Sequence, residues 1–462
     1  MKIADGISAQ ELREKVHRLF EVGAAKTIAL NRRWRPENGA PVFTVGGKYT
    51  ARAWTQWTQG FQFGNALLCF DVTGDPELLR IGREHTVKQM AEHLTHSGVH
   101  DHGFNNLSTY GQLRRLMLEK RIPFDPWELN FYELALKVSG AVQAARWTPL
   151  SDVSGYIYSF NGPHSLFIDT IRTLRVCAVA HQLRHSLLGE QDVRVNLLQR
   201  VLAHLATTAK YNVYYGNGRD SYDTPQHRGR TVHEAIFNTV SRTFRCPSTQ
   251  QGYSPFSTWT RGLAWAVLGF AEQFEFLHSL PEEQFSQCGG MSKGEALDLV
   301  ERSARATCDF YIEQGSAADG ISYWDTGAPN LYKLGDWRSL NADPHNAFEP
   351  VDASASAIAA QGLLRLGGVL KERGTRYVQA GFAVAGRLLD DEYLSADLNH
   401  EGILRHSVYH RPNGWDSVPS GQAVPSGESG MWGDYHLLEL GLTILRIPQE
   451  GGYTFYQSGE SA

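Results

Sequence analysis

QGYSPFSTWTRGLAWAVLGF, residues 251–270, decides the fold. Its first part, with Gly252, Pro255 and a run of Ser and Thr, reads as a loop. Its second part is apolar at helical spacing. Gly262, Ala264, Ala266 and Gly269 are small, so this helix can pack closely as an inner one. Ser257 or Thr258 can cap it. Arg261 and Trp265, four apart, share a face in its first turns.

Working outward, helical periodicity recurs at 7–31, 54–72, 77–96, 105–119, 126–145, 165–185, 190–211, 257–279, 293–314, 352–371, 374–390 and 429–444. In 190–211, Val193, Val195, Leu197, Leu198, Val201, Leu202 and Leu205 form a broad apolar stripe. The unusual residues fall at the start of every second helix: Trp54 and Trp57, His100-Asp101-His102, Asp169, Arg261 with Trp265, Asp352, and Trp432. That alternation is expected if helices pair as outer and inner layers of a toroid, with inner N-termini ringing one mouth. Strand signals are short: a hairpin near Val42–Tyr49 and fragments around Tyr211–Tyr215. Long connections at 147–164, 213–256, 315–351 and 392–428 have the length of functional loops. No linker divides the chain, so residues 1–462 read as a single all-α domain.

The composition, 42% hydrophobic and 20% charged, is that of an ordinary globular protein. A net charge of -5 without long blocks of one sign points away from nucleic acid and from anionic membranes. The first residues lack an apolar signal core and no run of about 18 apolar residues follows, so a cytoplasmic location is expected. Cys69, Cys177, Cys246, Cys288 and Cys308 are odd in number and without CxxC spacing. Buried reduced thiols fit them better than disulfides or a zinc site.

The candidate site residues each have two readings. Arg261 beside Trp265 suits an anionic ring, the fork holding a carboxylate and the indole the ring face; equally, it is an arginine stacked on a core tryptophan. His100-Asp101-His102 lacks the spacing of helical metal ligands. Solvated loop histidines are one reading; the other is an Asp101 that caps a helix and points into the cleft. Asp169 lies among apolar residues early in a helix, where an unpaired carboxylate is costly. Burial and a second carboxylate would raise its pKa, whereas the helix N-terminus and Arg172 would lower it, so the sign stays open. A salt bridge to Arg172 or a cap is its plain structural role. Asp352 reads as a cap on a small-residue helix. Trp324-Asp325 and Trp432-Gly-Asp434-Tyr435 fit an aromatic rim or core packing.

WTQGF (57–61), HDHGF (100–104), IDTIRTL (168–174), QGYSPFSTWTRGLAWAVLGF (251–270), YWDTGAP (323–329), VDASASAIAAQGLLRL (351–366) and MWGDYHLLELGL (431–442), in that order, resemble the unsaturated glucuronyl hydrolases of the glycoside hydrolase family 88 type. The unsaturated rhamnogalacturonyl hydrolases are more distant. The resemblance implies an (α/α)6 barrel with short β elements in loops, and no metal or organic cofactor. It implies removal of a 4,5-unsaturated uronic acid from the non-reducing end of lyase-generated oligosaccharides by hydration of the C4=C5 enol ether. By motif, Asp169 would be the general acid/base and Asp101 the second essential carboxylate. Trp57, His100, His233, Gln251, Arg261 and Trp265 would contact the substrate.

The chain departs from the family pattern at Gln62, Gln250, Thr173 and Gly327. These departures keep two rivals open: a barrel glycosidase or lyase acting on saturated uronosides or other sugars, and a catalytically silent glycan-binding toroid.

Overall fold

The computed structural model describes residues 1–3, 6–52, 56–288, 290–449 and 452–456; Trp54 lies outside them. Twelve helices build the frame: α1 (Ala9–Arg33), α2 (Gln59–Thr73), α3 (Pro76–Gln89), α4 (Gln112–Leu118), α5 (Pro126–Ala145), α6 (Arg175–Gln182), α7 (Leu197–Tyr211), α8 (Thr260–Ser279), α9 (Lys293–Phe310), α10 (Ala353–Leu370), α11 (Thr375–Leu388) and α12 (Met431–Arg446). The even-numbered helices form the inner ring: α6, α8, α10, α12 and α2 contact one another in succession, α2 contacts α4, and the short helix His102–Asn105 before α4 closes the ring onto α6. The odd-numbered helices pack outside them.

Sequence explains this sorting. On α1 only a stripe is buried, Leu12, Val16, Leu19, Phe20, Gly23 and Leu30 included, as a half-solvated helix requires. On α8 and α10 nearly every side chain is buried. Alanine and glycine on those faces let neighbouring backbones approach. The segment Ala353–Leu388 has the length and hydropathy of a membrane span, yet 89% of its apolar window is buried within the protein.

Three expected helices begin differently. Residues 165–167 form β5 (Ser165–Phe167), pairing antiparallel with β8 (Glu234–Asn238), which pairs with β9 (Thr243–Ser248). The helix after Asp169 is therefore short, Thr170–Thr173, before α6 continues. Residues 186–196 form the hairpin β6 (Ser186–Leu188) and β7 (Arg194–Asn196). Val193 is exposed in that hairpin, so the apolar stripe of α7 starts only at Leu197, capped by Asn196. A short helix, His102–Asn105, leads through a wide turn, Leu107–Gly111, into α4. The expected hairpin is present as β1 (Pro41–Val45) and β2 (Lys48–Ala51). A further small pair, β3 (Trp147–Pro149) with β4 (Gly155–Ile157), has no counterpart in the sequence reading.

Cys69, Cys177, Cys288 and Cys308 are buried and unpaired as expected; Cys246 is exposed, on β9.

Candidate active site

The starts of the inner helices converge on a cavity that opens to solvent. Trp57, Phe104, Trp259 and Trp265 supply aromatic walls, and His100, Asp101 and Asp169 a polar floor. Seven of the eight residues proposed from sequence, Trp57, His100, Asp101, Asp169, Gln251, Arg261 and Trp265, line it.

The two carboxylates come together through a glycine. A Cβ on Gly103 would sit 2.2 Å from the Thr173 carbonyl oxygen, so only glycine lets the 102–105 helix lie against 170–173. Asp101 and Asp169 occupy the N-cap positions of these two short helices, but neither side chain caps. Both are freed to face the cavity, which corrects the expectation of a capping role. The 100–102 histidines are not solvated either: His100 and His102 are buried. His102 is bonded through both ring nitrogens, to Ser139 Oγ and the His96 carbonyl.

Asp169 does not pair with Arg172. That guanidinium bonds Glu272 and, at 2.9 Å, Glu439, in a buried network further along the inner helices. The partner of Asp169 is His100, whose Nε2 donates to Oδ1 across 3.2 Å and lies 3.9 Å from Asp101 Oδ1. Burial opposes a charge on His100, yet the Asp101 and Asp169 carboxylates outweigh it and raise its pKa above the usual histidine value. Burial, reinforced by Asp169, pushes Asp101 up despite His100. Burial would push Asp169 up too, but the charge and hydrogen bond of His100 hold it below the usual carboxylate range. The downward pull of His100 on Asp169 gives the sign that the sequence left open. Asp101 is the more readily protonated carboxyl, and Asp169 the more firmly ionised.

Arg261 is buried and its fork is occupied. Nη1 donates to Asp352 Oδ2 at 2.8 Å and to the Val408 carbonyl; Nη2 donates to Gln251 Oε1 at 2.9 Å and to the Tyr409 carbonyl at 2.7 Å. It stacks on Trp259 and Trp432 rather than on Trp265. Its helix is preceded by Trp259 without a side-chain cap, so neither Ser257 nor Thr258 plays that part. Asp352 does cap α10, accepting from the Ser354 and Ala355 amides, while also neutralising Arg261.

His233 stands behind the lining. Its Nδ1 accepts the amide hydrogens of Gln250 (3.0 Å) and Gln251 (3.4 Å), which places its proton on Nε2. That buried nitrogen has no partner among the described residues. Burial lowers the ring's pKa to about 4 against the pull of Asp169 and Glu234, so it is a neutral donor.

Of the four departures, only Gln250 lines the cavity. Gln62 is buried away from it. Thr173 Oγ1 accepts from Gln143 at 2.7 Å. A Cβ on Gly327 would lie 2.6 Å from Ser257 Cβ, so the acidic residue of the family pattern has no room there. Trp432 and Trp324 are core rather than rim, their ring N–H groups bonded to Ser354 and Glu349.

Sequence reading missed one wall. Phe160 comes from the 147–164 connection, and Tyr409, His410 and Trp415 come from 392–428. The aromatic content of those long loops was the available signal. One three-residue group with metal-ligand potential occurs among the described residues, His345, Glu392 and His406, away from the cavity. His406 Nδ1 accepts the Gly427 amide hydrogen, so its Nε2 carries a proton and faces Glu392 at 3.4 Å. A ligating Nε2 would need that proton removed.

No protein-family model matches the chain. It is 27% identical over 419 residues to an unsaturated glucuronyl hydrolase of Bacillus sp. strain GL1, covering 88% of this chain and 90% of that protein. It is 24% identical over 386 residues to an unsaturated glucuronyl hydrolase of Formosa agariphila, covering 83% and 78%. An unsaturated chondroitin disaccharide hydrolase of Streptococcus pyogenes serotype M1 is 23% identical over 424 residues, covering 90% and 88%. Among solved structures, an unsaturated glucuronyl hydrolase specific for heparin superposes with a TM-score of 0.69 at 20% identity, covering 93% of this chain and 96% of that one. The Bacillus sp. GL1 enzyme superposes with a TM-score of 0.66 at 22% identity, covering 95% and 99%. The similarity to unsaturated glucuronyl hydrolases runs over most of the chain, and the fold is the (α/α)6 barrel of those structures.

Proposed function

We propose that this chain, kin to the unsaturated glucuronyl hydrolases, is a glycoside hydrolase. It releases a 4,5-unsaturated uronic acid from the non-reducing end of lyase-generated oligosaccharides. The observation that carries the reading is the Asp101–His100–Asp169 cluster on the floor of an aromatic-walled cavity. Hydration of an enol ether needs one group to give a proton and one to take it, and two carboxyls with pKa values pushed apart supply both.

In this scheme Asp101, whose charge burial disfavours, gives its proton to C4, a division of roles that differs from the motif reading, in which Asp169 serves as both acid and base. Asp169, ionised beside His100, takes a proton from the water whose oxygen adds at C5. The resulting C5 hemiketal opens by breaking its bond to the ring oxygen, giving a C5 ketone. The ring oxygen stays on C1 as a hydroxyl, and the hemiacetal so formed expels the remaining saccharide. Trp57 and Trp265 flank the sugar, while Gln251 offers donors and His233 holds the Gln250–Gln251 backbone from behind. Reactant and product differ by one water, and no redox or group-transfer partner enters. The four unpaired thiols of the interior support a reducing, intracellular setting.

The test is loss of the unsaturated-uronate ultraviolet absorbance during incubation with unsaturated disaccharides, followed by product mass. Gain of one water per cleavage, abolished in Asp169→Asn and Asp101→Asn, is the expected result. Turnover of saturated uronosides in preference, or full activity in either variant, overturns the proposal.

A further inference from the structure

A second, shallower groove adjoins the cavity, and Gln250 lines both. Two stretches of chain pass from one space to the other in a single step. Gln251 faces the cavity and Gly252 the groove; His410 faces the cavity and Arg411 the groove. A saccharide leaving the cavity past Gln250 therefore enters the groove. Tyr253, 53% exposed, offers it a flat ring on which a pyranose face can lie.

Two charged side chains line the groove. Glu349 is buried and engaged: Oε1 accepts from the Asn330 amide at 2.8 Å and carboxamide at 3.2 Å, and Oε2 from Trp324 Nε1 at 2.8 Å. Arg411 is half-buried and not engaged. Its Nε is shielded from water without an acceptor, and no hydrogen bond or ion pair reaches its guanidinium among the described residues. Asp416 of the same loop accepts the Tyr409 and His410 amide hydrogens instead. Arg261, the other guanidinium lining either space, has both ends of its fork occupied. Arg411 is thus a partly desolvated fork with open donors, the geometry that pairs with two oxygens of an anion.

We propose that the groove seats the saccharide next to the unsaturated uronate, and that Arg411 favours one bearing an oxyanion, a sulfate ester or a carboxylate. The inference rests on the reading of the cavity as the uronate site. It gives the departure at Gln250 a place: that side chain stands at the junction of the two sugars.

The test is kcat/KM on two matched pairs of substrates. One is unsaturated chondroitin disaccharide with and without a 6-sulfate on the second sugar. The other is unsaturated digalacturonate with a free or a methyl-esterified second carboxyl. Arg411→Gln is expected to lower kcat/KM for the charged member of a pair at least about tenfold, the order of a charge-assisted hydrogen bond, and for its neutral partner much less. Arg411→Lys, which keeps the charge and loses the fork, is expected to retain part of the discrimination. The pair that responds tells a sulfate from a carboxylate. Losses no larger on the charged members than on the neutral ones overturn the inference and leave the reading of the cavity standing. A wild type that turns over none of the four substrates overturns both.

Discussion

His100 Nε2 donates to Asp169 Oδ1 across 3.2 Å, while Arg172, three residues along from Asp169, spends its charge on Glu272 and Glu439. The charge state of the cavity floor is therefore set by an imidazole that can lose its proton near neutrality, not by a permanent cation. His100→Gln should leave Asp169 with burial as its main influence and raise its pKa. The acid limb of the pH profile of kcat/KM should move to higher pH, and kcat should fall by about 10²-fold or more. An acid limb that stays in place in a folded His100→Gln variant would rule this coupling out.

The same shifts make stability depend on pH in opposite directions. The pKa of His100 is raised above 6.5 on folding, so its contribution is complete below that value and lost as pH rises through the folded pKa. That of Asp169 is lowered below 3.8, so its contribution is present above that value and lost as pH falls through the folded pKa. The raised pKa of Asp101 means that its ionisation costs stability at neutral pH. Asp101→Asn should therefore raise the Tm at pH 7 while abolishing turnover. Asp169→Asn should abolish turnover without that gain. Thermal melts at pH 5 and pH 7 distinguish the two variants.

Much of this was legible in the sequence because it is periodic. Apolar spacing locates the twelve helices, and the small residues of 262–269 and 353–360 mark inner ones. Convergence of the motif residues follows from their place at the starts of inner helices. What was not legible depends on partners distant in sequence. Arg172 looked available to Asp169 until Glu272 and Glu439, 100 and 267 residues away, took it. Val193 and Val195 fit a helical stripe as well as a hairpin, and local sequence does not separate them. Tyr409, His410 and Trp415 sit in a loop without periodicity, so only the folded chain places them against the cavity.

Gly103 makes the site possible and should be intolerant of change. Alanine there drives a methyl into Thr173 backbone, which has no freedom to move because its helix is locked to Gly103 and to Gln143. Gly103→Ala should cost about 1–3 kcal/mol as an overpacking substitution. It should also lower kcat by more than that destabilisation explains, because it separates Asp101 from Asp169. Urea unfolding measures the first effect. Turnover at a temperature where the variant is fully folded measures the second.

Asp352 neutralises Arg261 in a fully buried pair, and both hold the loop at Val408 and Tyr409 that forms one cavity wall. Asp352→Ala leaves the guanidinium uncompensated and should destabilise by about 3–5 kcal/mol. Asp352→Asn, which keeps a cap acceptor, should cost less. Urea titration of the two variants checks the order; equal costs would mean that the cap, not the charge, is the main loss.

Gln251 offers the sharpest test of how a uronate would be held. Its Oε1 accepts from Arg261, so the carboxamide orientation is fixed and its NH₂ is the part left to a ligand. Gln251→Glu keeps the bond to Arg261 and its shape but replaces those donors by a second carboxylate oxygen in the cavity. An anionic sugar then meets like charge in a partly desolvated site. KM for unsaturated disaccharides should rise at least about tenfold, equivalent to about 1.4 kcal/mol, with kcat changed much less. The rise should be smaller for a substrate whose uronate is methyl-esterified, since its charge is gone. If KM rises equally for both substrates, Gln251 acts by shaping the wall that Arg261 supports and makes no contact with the carboxylate.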